Sequence, residues 1–254
     1  MKLVILGAGT NVPLSYLASP SLALFISDNP IIFDMGPGAL RQMARVGIGH
    51  DRIQQIFISH FHPDHTADLV HFLFATRNPE ILKYRKSFTI TGPAGFTDFL
   101  KTLQKGYKKW LDIPPEIMEV DELDIEKPDS RIYTDYSINS QPIDHTPNSL
   151  AYRVDNMEGR SLVYSGDTSL CDGIVNIARN CDLLILECSL PEGENAEGHL
   201  TPSQAGRIAT LSGARKLLLI HFYPEVLATD ITCACRKTYD GEVILGRDML
   251  HISI

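Results

Sequence analysis

The amino-acid sequence predicts an α/β protein, a four-layer αββα sandwich, from three observations. Short apolar runs rich in β-branched residues alternate with runs of helical period. The runs LLILEC (183–188) and KLLLI (216–220) are apolar on both faces, as strands covered by helices are. The chain's 254 residues, 44% of them hydrophobic, can bury a sizeable core.

Taken in order, strands are expected at 2–6 (KLVIL), 21–26 (SLALFI), 30–34 (PIIFD), 55–59 (QIFIS) and 87–91 (SFTIT). Helices are expected at 38–46, 68–77 and 94–103, where apolar residues recur at helical spacing. The second half adds strands at 131–134, 137–141, 150–154, 161–165, 182–188, 216–221 and 242–246, with helices after Asp167 and Thr201. Thr201 suits an N-cap, Pro202 the first helical position and Gln204 the third, which together make a capping box. The least regular stretch is LQKGYKKWLDIPPE (103–116). Lys105, Lys108, Lys109 and Trp110 there form either a lid that meets an anionic substrate or, as we expect, a solvated helix end with one anchoring aromatic. No linker, long charge run or repeat divides the sequence, so one domain over 1–254 is expected.

Chemistry concentrates in ISHFHPDHTADL (58–69), which holds His60, His62, Asp64 and His65 at the spacing H-x-H-x-D-H. No single face of a helix or strand presents all four. They converge only on a sharp turn, here between an apolar strand running to His60 and a helix opened near Pro63. A polar turn with surface histidines is the bland alternative, and three histidines alternating with an aspartate argue against it. Three more metal-capable residues each follow an apolar strand: His145, Asp167 and His221. Singly they could be a loop histidine, a turn aspartate and a hydrogen-bonded buried histidine. Downstream of the H-x-H-x-D-H turn they read as the remaining ligands.

The ordered set His60, His62, Asp64, His65, His145, Asp167, His221 resembles the metallo-β-lactamase superfamily, in particular its ribonuclease Z-like branch. The resemblance spans nearly the whole chain, from MKLVILGAGTNVP through IIFDMGPGAL to HFYP. It implies two mixed β-sheets flanked by helices. It also implies two divalent metal ions, zinc first, with manganese or iron accepted by the same donors. One ion would be held by His60, His62 and His145 and the second by Asp64, His65 and His221, with Asp167 shared. Asp34 would bond to the ligand turn rather than to metal. A water held between two such ions is a nucleophile near neutral pH, and the site's net positive charge suits an anionic phosphodiester. Asp64 would also orient the attacking water or accept its proton. His199, in GHLTPSQ, resembles the branch's extra histidine, which contacts the phosphate or protonates the leaving oxygen. Its structural alternative is a spacer before a capped helix, and Glu197 could tune it.

The expected activity is therefore a metal-dependent hydrolase, a phosphodiesterase on a small or single-stranded ester. A ribonuclease Z-type cut at the transfer-RNA 3′ end comes second, and a non-hydrolytic metal scaffold or sensor third. Two departures demote transfer RNA. The long arm that such enzymes insert between the positions of His145 and Asp167 has no counterpart, only two strands turned at Asn156–Gly159. The loop PLSYLASPS (13–21) lacks the basic residues found there in those enzymes, and the net charge is −8. Partners follow: a small anionic ester, nucleic acid ranked below it, no membrane, and room for a homodimer. The apolar run before Gly7 is too short for a leader or span. Five cysteines, at 171, 181, 188, 233 and 235, are an odd number and read as reduced thiols of a cytoplasmic protein, Cys233-Ala-Cys235 included.

Overall fold

A computed structural model describes residues 1–26, 29–194 and 198–254. Fourteen strands are formed among them: β1 Lys2–Gly7, β2 Ser21–Ile26, β3 Asn29–Phe33, β4 Gln55–Phe57, β5 Phe88–Pro93, β6 Met118–Leu123, β7 Asp129–Ile132, β8 Tyr136–Pro142, β9 Leu150–Asn156, β10 Ser161–Tyr164, β11 Leu183–Glu187, β12 Lys216–Ile220, β13 Glu242–Leu245 and β14 His251–Ser253. They build two seven-stranded sheets, ordered β14-β1-β2-β3-β4-β5-β6 and β13-β12-β11-β10-β9-β8-β7. Both sheets are mixed. The first is antiparallel from β14 to β3 and parallel from β3 to β6. The second is antiparallel from β7 to β10 and parallel from β10 to β13.

Side-chain alternation along the strands sorts the apolar residues into three cores, which is what four layers require. Leu3, Ile5, Phe33, Leu162, Tyr164, Ile185 and Leu218 point between the sheets. Val4, Leu6, Ile32 and Ile56 face outward from the first sheet, onto helices Ala39–Arg45, Asp68–Thr76 and Phe96–Tyr107. Val163, Leu184, Leu186, Leu217 and Leu219 face outward from the second, onto helices Asp172–Ile177, Pro202–Ser212 and Ile231–Cys235. Two tyrosines of the second sheet tie the halves together: Tyr152 donates to the Ile58 carbonyl (2.6 Å) and Tyr164 to Asp34 (2.6 Å).

The expected sandwich is the one observed, with differences that have physical causes. The strand expected to run to His60 ends at Phe57, because Asp34 Oδ1 takes the Ser59 N–H (2.7 Å). The helix expected at 94–103 continues to Tyr107 and gives way to a short 3-10 turn, Lys108–Leu111. Trp110, the aromatic of that expected solvated helix end, is 51% exposed and meets Phe74 edge-on. The capping box on Pro202–Ser212 forms as read. All five cysteines are free. No helix among the described residues is long and apolar enough to cross a membrane.

Candidate metal centre

Strand direction decides where the site can form. β3 and β4 are parallel, β10, β11 and β12 are parallel, and β8 runs the same way as β10 because both are antiparallel to β9. The loops that follow these strands therefore open along one edge of the sandwich, from both sheets. His60, His62, Asp64 and His65 follow β4, His145 follows β8, Asp167 follows β10 and His221 follows β12. All seven expected ligands meet there. His60, His62, His145 and Asp167 present one ligand atom each within 4.8 Å of one another, and so do Asp64, His65 and His221.

Asp167 stands between the two groups. Its Oδ1 lies 3.2 Å from both His65 Nε2 and His221 Nε2, while Oδ2 faces His145 Nε2 (3.7 Å) and His60 Nε2 (3.8 Å). Asp64 Oδ2 is 3.4 Å from His221 Nε2, and His62 Nδ1 is 3.2 Å from His145 Nε2. Four of these atoms, His60 Nε2, His65 Nε2, His221 Nε2 and Asp167 Oδ1, are fully buried and hydrogen-bonded to nothing. Orphaned polar atoms of this kind are costly unless something else satisfies them. Divalent ions on a set of imidazoles and carboxylates do so, and the residues present fit two.

The remaining nitrogen of each buried imidazole is held, which fixes the ring. His65 Nδ1 donates to Asp34 Oδ2 (2.7 Å), His60 Nδ1 meets Ser59 Oγ (3.0 Å), His145 Nδ1 donates to the Gly198 carbonyl (2.9 Å) and His221 Nδ1 meets Ser189 Oγ (2.8 Å). Asp34 accepts from Ser59 N, Ser59 Oγ and Tyr164 as well, so it braces the ligand turn as expected. Both Asp34 (φ 57°) and His221 (φ 60°) sit in the left-handed region, a strained backbone that concentrates at functional sites. Gly36 lets the loop after β3 pass the ligand turn: a Cβ there would lie 2.1 Å from the Asp64 carbonyl oxygen. Burial, aided by the charge of His65, pushes the His60 imidazole well below its usual range and keeps it neutral, as a ligand must be.

The family model for the β-lactamase superfamily domain matches residues 29–222, the stretch that carries all seven candidate ligands. The chain belongs to the β-lactamase superfamily. Within that superfamily it is similar to proteins named ribonuclease Z. A ribonuclease Z of Streptomyces avermitilis is 23% identical over all of this chain and 97% of its own length. Among solved structures, the metallo-β-lactamase fold protein YhfI from Bacillus subtilis superposes with a TM-score of 0.86 at 23% identity, covering 99% of this chain and 98% of its own. Human tRNase Z, short form, superposes at 0.80 and 24% identity, covering 100% and 99%. At those identities the two structures speak for the fold.

His199 stands beside this superfamily centre: one of its ring nitrogens can join a third group with Asp167 and His221. Its Nδ1 donates to Glu187 Oε1 (2.9 Å), the last residue of β11. Burial alone would lower the His199 pKa, but the bond to Glu187 and its charge outweigh it and raise it. Glu197 lies outside the described residues; the carboxylate that meets His199 is Glu187. Sequence reading passed over Glu187, although a carboxylate closing the apolar run LLILE is the signal that could have found it. This buried side chain also takes the backbone N–H of Thr168 (3.0 Å), next to Asp167, and the hydroxyl of Ser189, which holds His221.

Proposed function

We propose that the chain is a dinuclear metal-dependent phosphodiesterase acting on a small or single-stranded anionic ester. The observation that carries the reading is the placement of Asp167, with one carboxylate oxygen toward each group of histidines. His60, His62 and His145 would hold one ion, Asp64, His65 and His221 the other, and Asp167 both; nitrogen and carboxylate donors favour Zn²⁺, with Mn²⁺ or Fe²⁺ accepted. When bound, two divalent ions supply positive charge at the substrate and a water of lowered pKa. Asp64, the more open of the two carboxylates, orients that water or takes its proton through a carboxylate oxygen. His199 offers Nε2 to the leaving oxygen and can donate a proton there, since Glu187 occupies Nδ1 and favours the protonated ring. We read residues 1–254 as one domain, because the ligands come from both sheets, and the five free cysteines support a reducing, cytoplasmic setting.

Cleavage at the transfer-RNA 3′ end is the second reading, favoured by the full-length match to a ribonuclease Z. Against it stands the interval between His145 and Asp167, filled by β9, a turn closed by Gly159 N–H to the Asn156 carbonyl (3.0 Å), and β10. That hairpin carries no arm. The test is elemental analysis paired with turnover of bis(p-nitrophenyl) phosphate. Two ions per chain and a loss of at least about 100-fold in Asp64→Asn are expected. One ion or fewer in metal-replete protein, or near wild-type turnover in Asp64→Asn, would overturn the reading.

A further inference from the structure

The ligand turn has a second wall. Phe61 and Pro63, interleaved with His60, His62 and Asp64, border a cavity of about 710 Å³ whose far side is formed by helices Asp68–Thr76 and Phe96–Tyr107 and by Trp110. Five of its lining residues are aromatic. Phe61 and Phe99 lie nearly parallel, 12° apart with ring centroids 5.0 Å from each other, and Phe74 meets Trp110 at 81°. Phe74, Tyr107 and Trp110 are half exposed, a cost that an apolar occupant would remove. The wall's polar side chains are few: Thr66, whose Oγ1 is already spent on the His62 carbonyl (2.9 Å), His71 and Tyr107. Such a surface offers many ring faces and edges and few hydrogen bonds, from His71 and the Tyr107 hydroxyl. Cations stand at its rim: Lys109 Nζ is 5.2 Å and Arg77 Cζ 5.7 Å from the Trp110 ring centroid.

We propose that this cavity is the substrate-selecting pocket of the enzyme and takes an aromatic ring esterified to the phosphate, a nucleobase or aryl group being the chemistry that fits. The inference rests on the phosphodiesterase reading and deepens it. Contiguity is the argument for a substrate group: Phe61, Pro63 and Thr66 of the cavity wall alternate along the chain with His60, His62, Asp64 and His65, so cavity and metal centre share one turn. Ring stacking contributes about 1–3 kcal/mol per base and tolerates different rings. A site of this make-up would therefore select for the presence of a ring more than for its identity.

The chain's single tryptophan is Trp110, so intrinsic fluorescence reports on the cavity directly. Zinc-loaded protein is titrated with phenyl, cyclohexyl and methyl phosphate, with calorimetry as a second measure of affinity. Phenyl phosphate is expected to bind about tenfold tighter than methyl phosphate, which corresponds to about 1.4 kcal/mol, to bind tighter than cyclohexyl phosphate, and to shift the Trp110 emission. Phe74→Ala, at a half-exposed position, should cut the phenyl-to-methyl ratio below threefold while leaving the far-UV circular dichroism unchanged. Equal affinity for phenyl and methyl phosphate, or a ratio untouched by Phe74→Ala, overturns the proposal. Cyclohexyl phosphate binding as tightly as phenyl would make the cavity a general apolar pocket and overturns it too. So does a dimer, seen by sedimentation, that Phe74→Ala dissolves, since a second copy would then be the occupant. Turnover of bis(p-nitrophenyl) phosphate separates the two readings. Ring preference without turnover removes the hydrolytic reading and keeps the pocket, whereas turnover without ring preference removes the pocket alone.

Discussion

Glu187 touches no expected metal ligand, yet it reaches both sides of the reaction centre: His199 through Nδ1, and His221 through Ser189. Its substitution separates positioning from metal binding. Glu187→Gln keeps the shape but removes the charge that favours a protonated His199, and it points an amide N–H₂ at groups that now donate to a carboxylate, Leu200 N–H among them. Turnover should fall about 10–100-fold with both ions retained. The loss should be larger for an alkyl leaving group than for p-nitrophenolate, which needs no proton. Equal losses on both substrates would mean that Glu187 acts only by holding the fold. At this scale His60, His62, Asp64 and His65 were legible, because a turn that must point several imidazoles at one centre constrains spacing tightly, and the resemblance which that turn opened supplied His145, Asp167 and His221. Glu187 was not, because one carboxylate at a strand end has no spacing partner in the sequence; only the fold brings Thr168, Ser189 and His199 around it.

At the scale of elements, the runs with clear periodicity appeared where the pattern put them, and so did the Thr201 capping box, since cap and helix are local. β6 (MEVDEL) and β14 (HIS) were missed. Both are edge strands with one paired side and half-exposed side chains, so neither carries a long apolar signal, and their pairing with β5 and β1 is decided by tertiary contact. A local feature that matters more is Gly198, just before His199. It has φ +87°, and a Cβ on it would sit 2.5 Å from His145 Nδ1, the atom that donates to its own carbonyl. Gly198→Ala must therefore move His145, in addition to straining a left-handed backbone. We expect loss of the ion assigned to His60, His62 and His145, with the other retained, so that elemental analysis reads near one per chain. A variant with both ions and full turnover would show that His145 needs no such support.

At the scale of the molecule, the four metal-capable residues after β4 belong to one sheet and His145, Asp167 and His221 to the other, so bound ions would cross-link the two halves. Ligand that binds only the folded chain at 100 times its Kd contributes about 2.7 kcal/mol, and a chain of this size gains about 2–4 °C in Tm per kcal/mol. Chelation should lower Tm by about 5–10 °C, reversed by added zinc; an unchanged Tm would argue against ligation across the seam. The same global view governs substrate choice. Nucleic-acid affinity rests on many Lys and Arg contacts and falls steeply with salt, whereas this chain carries −8 overall and a two-strand hairpin in place of an arm. Small phosphodiesters should be cleaved at a rate that changes less than about threefold between 50 and 200 mM salt, because a single phosphate releases few counterions. Precursor transfer RNA under the same conditions should show no precise 3′ cut. Efficient site-specific cleavage at 200 mM salt would mean that the sandwich itself holds the RNA, and that the runner-up reading is the correct one.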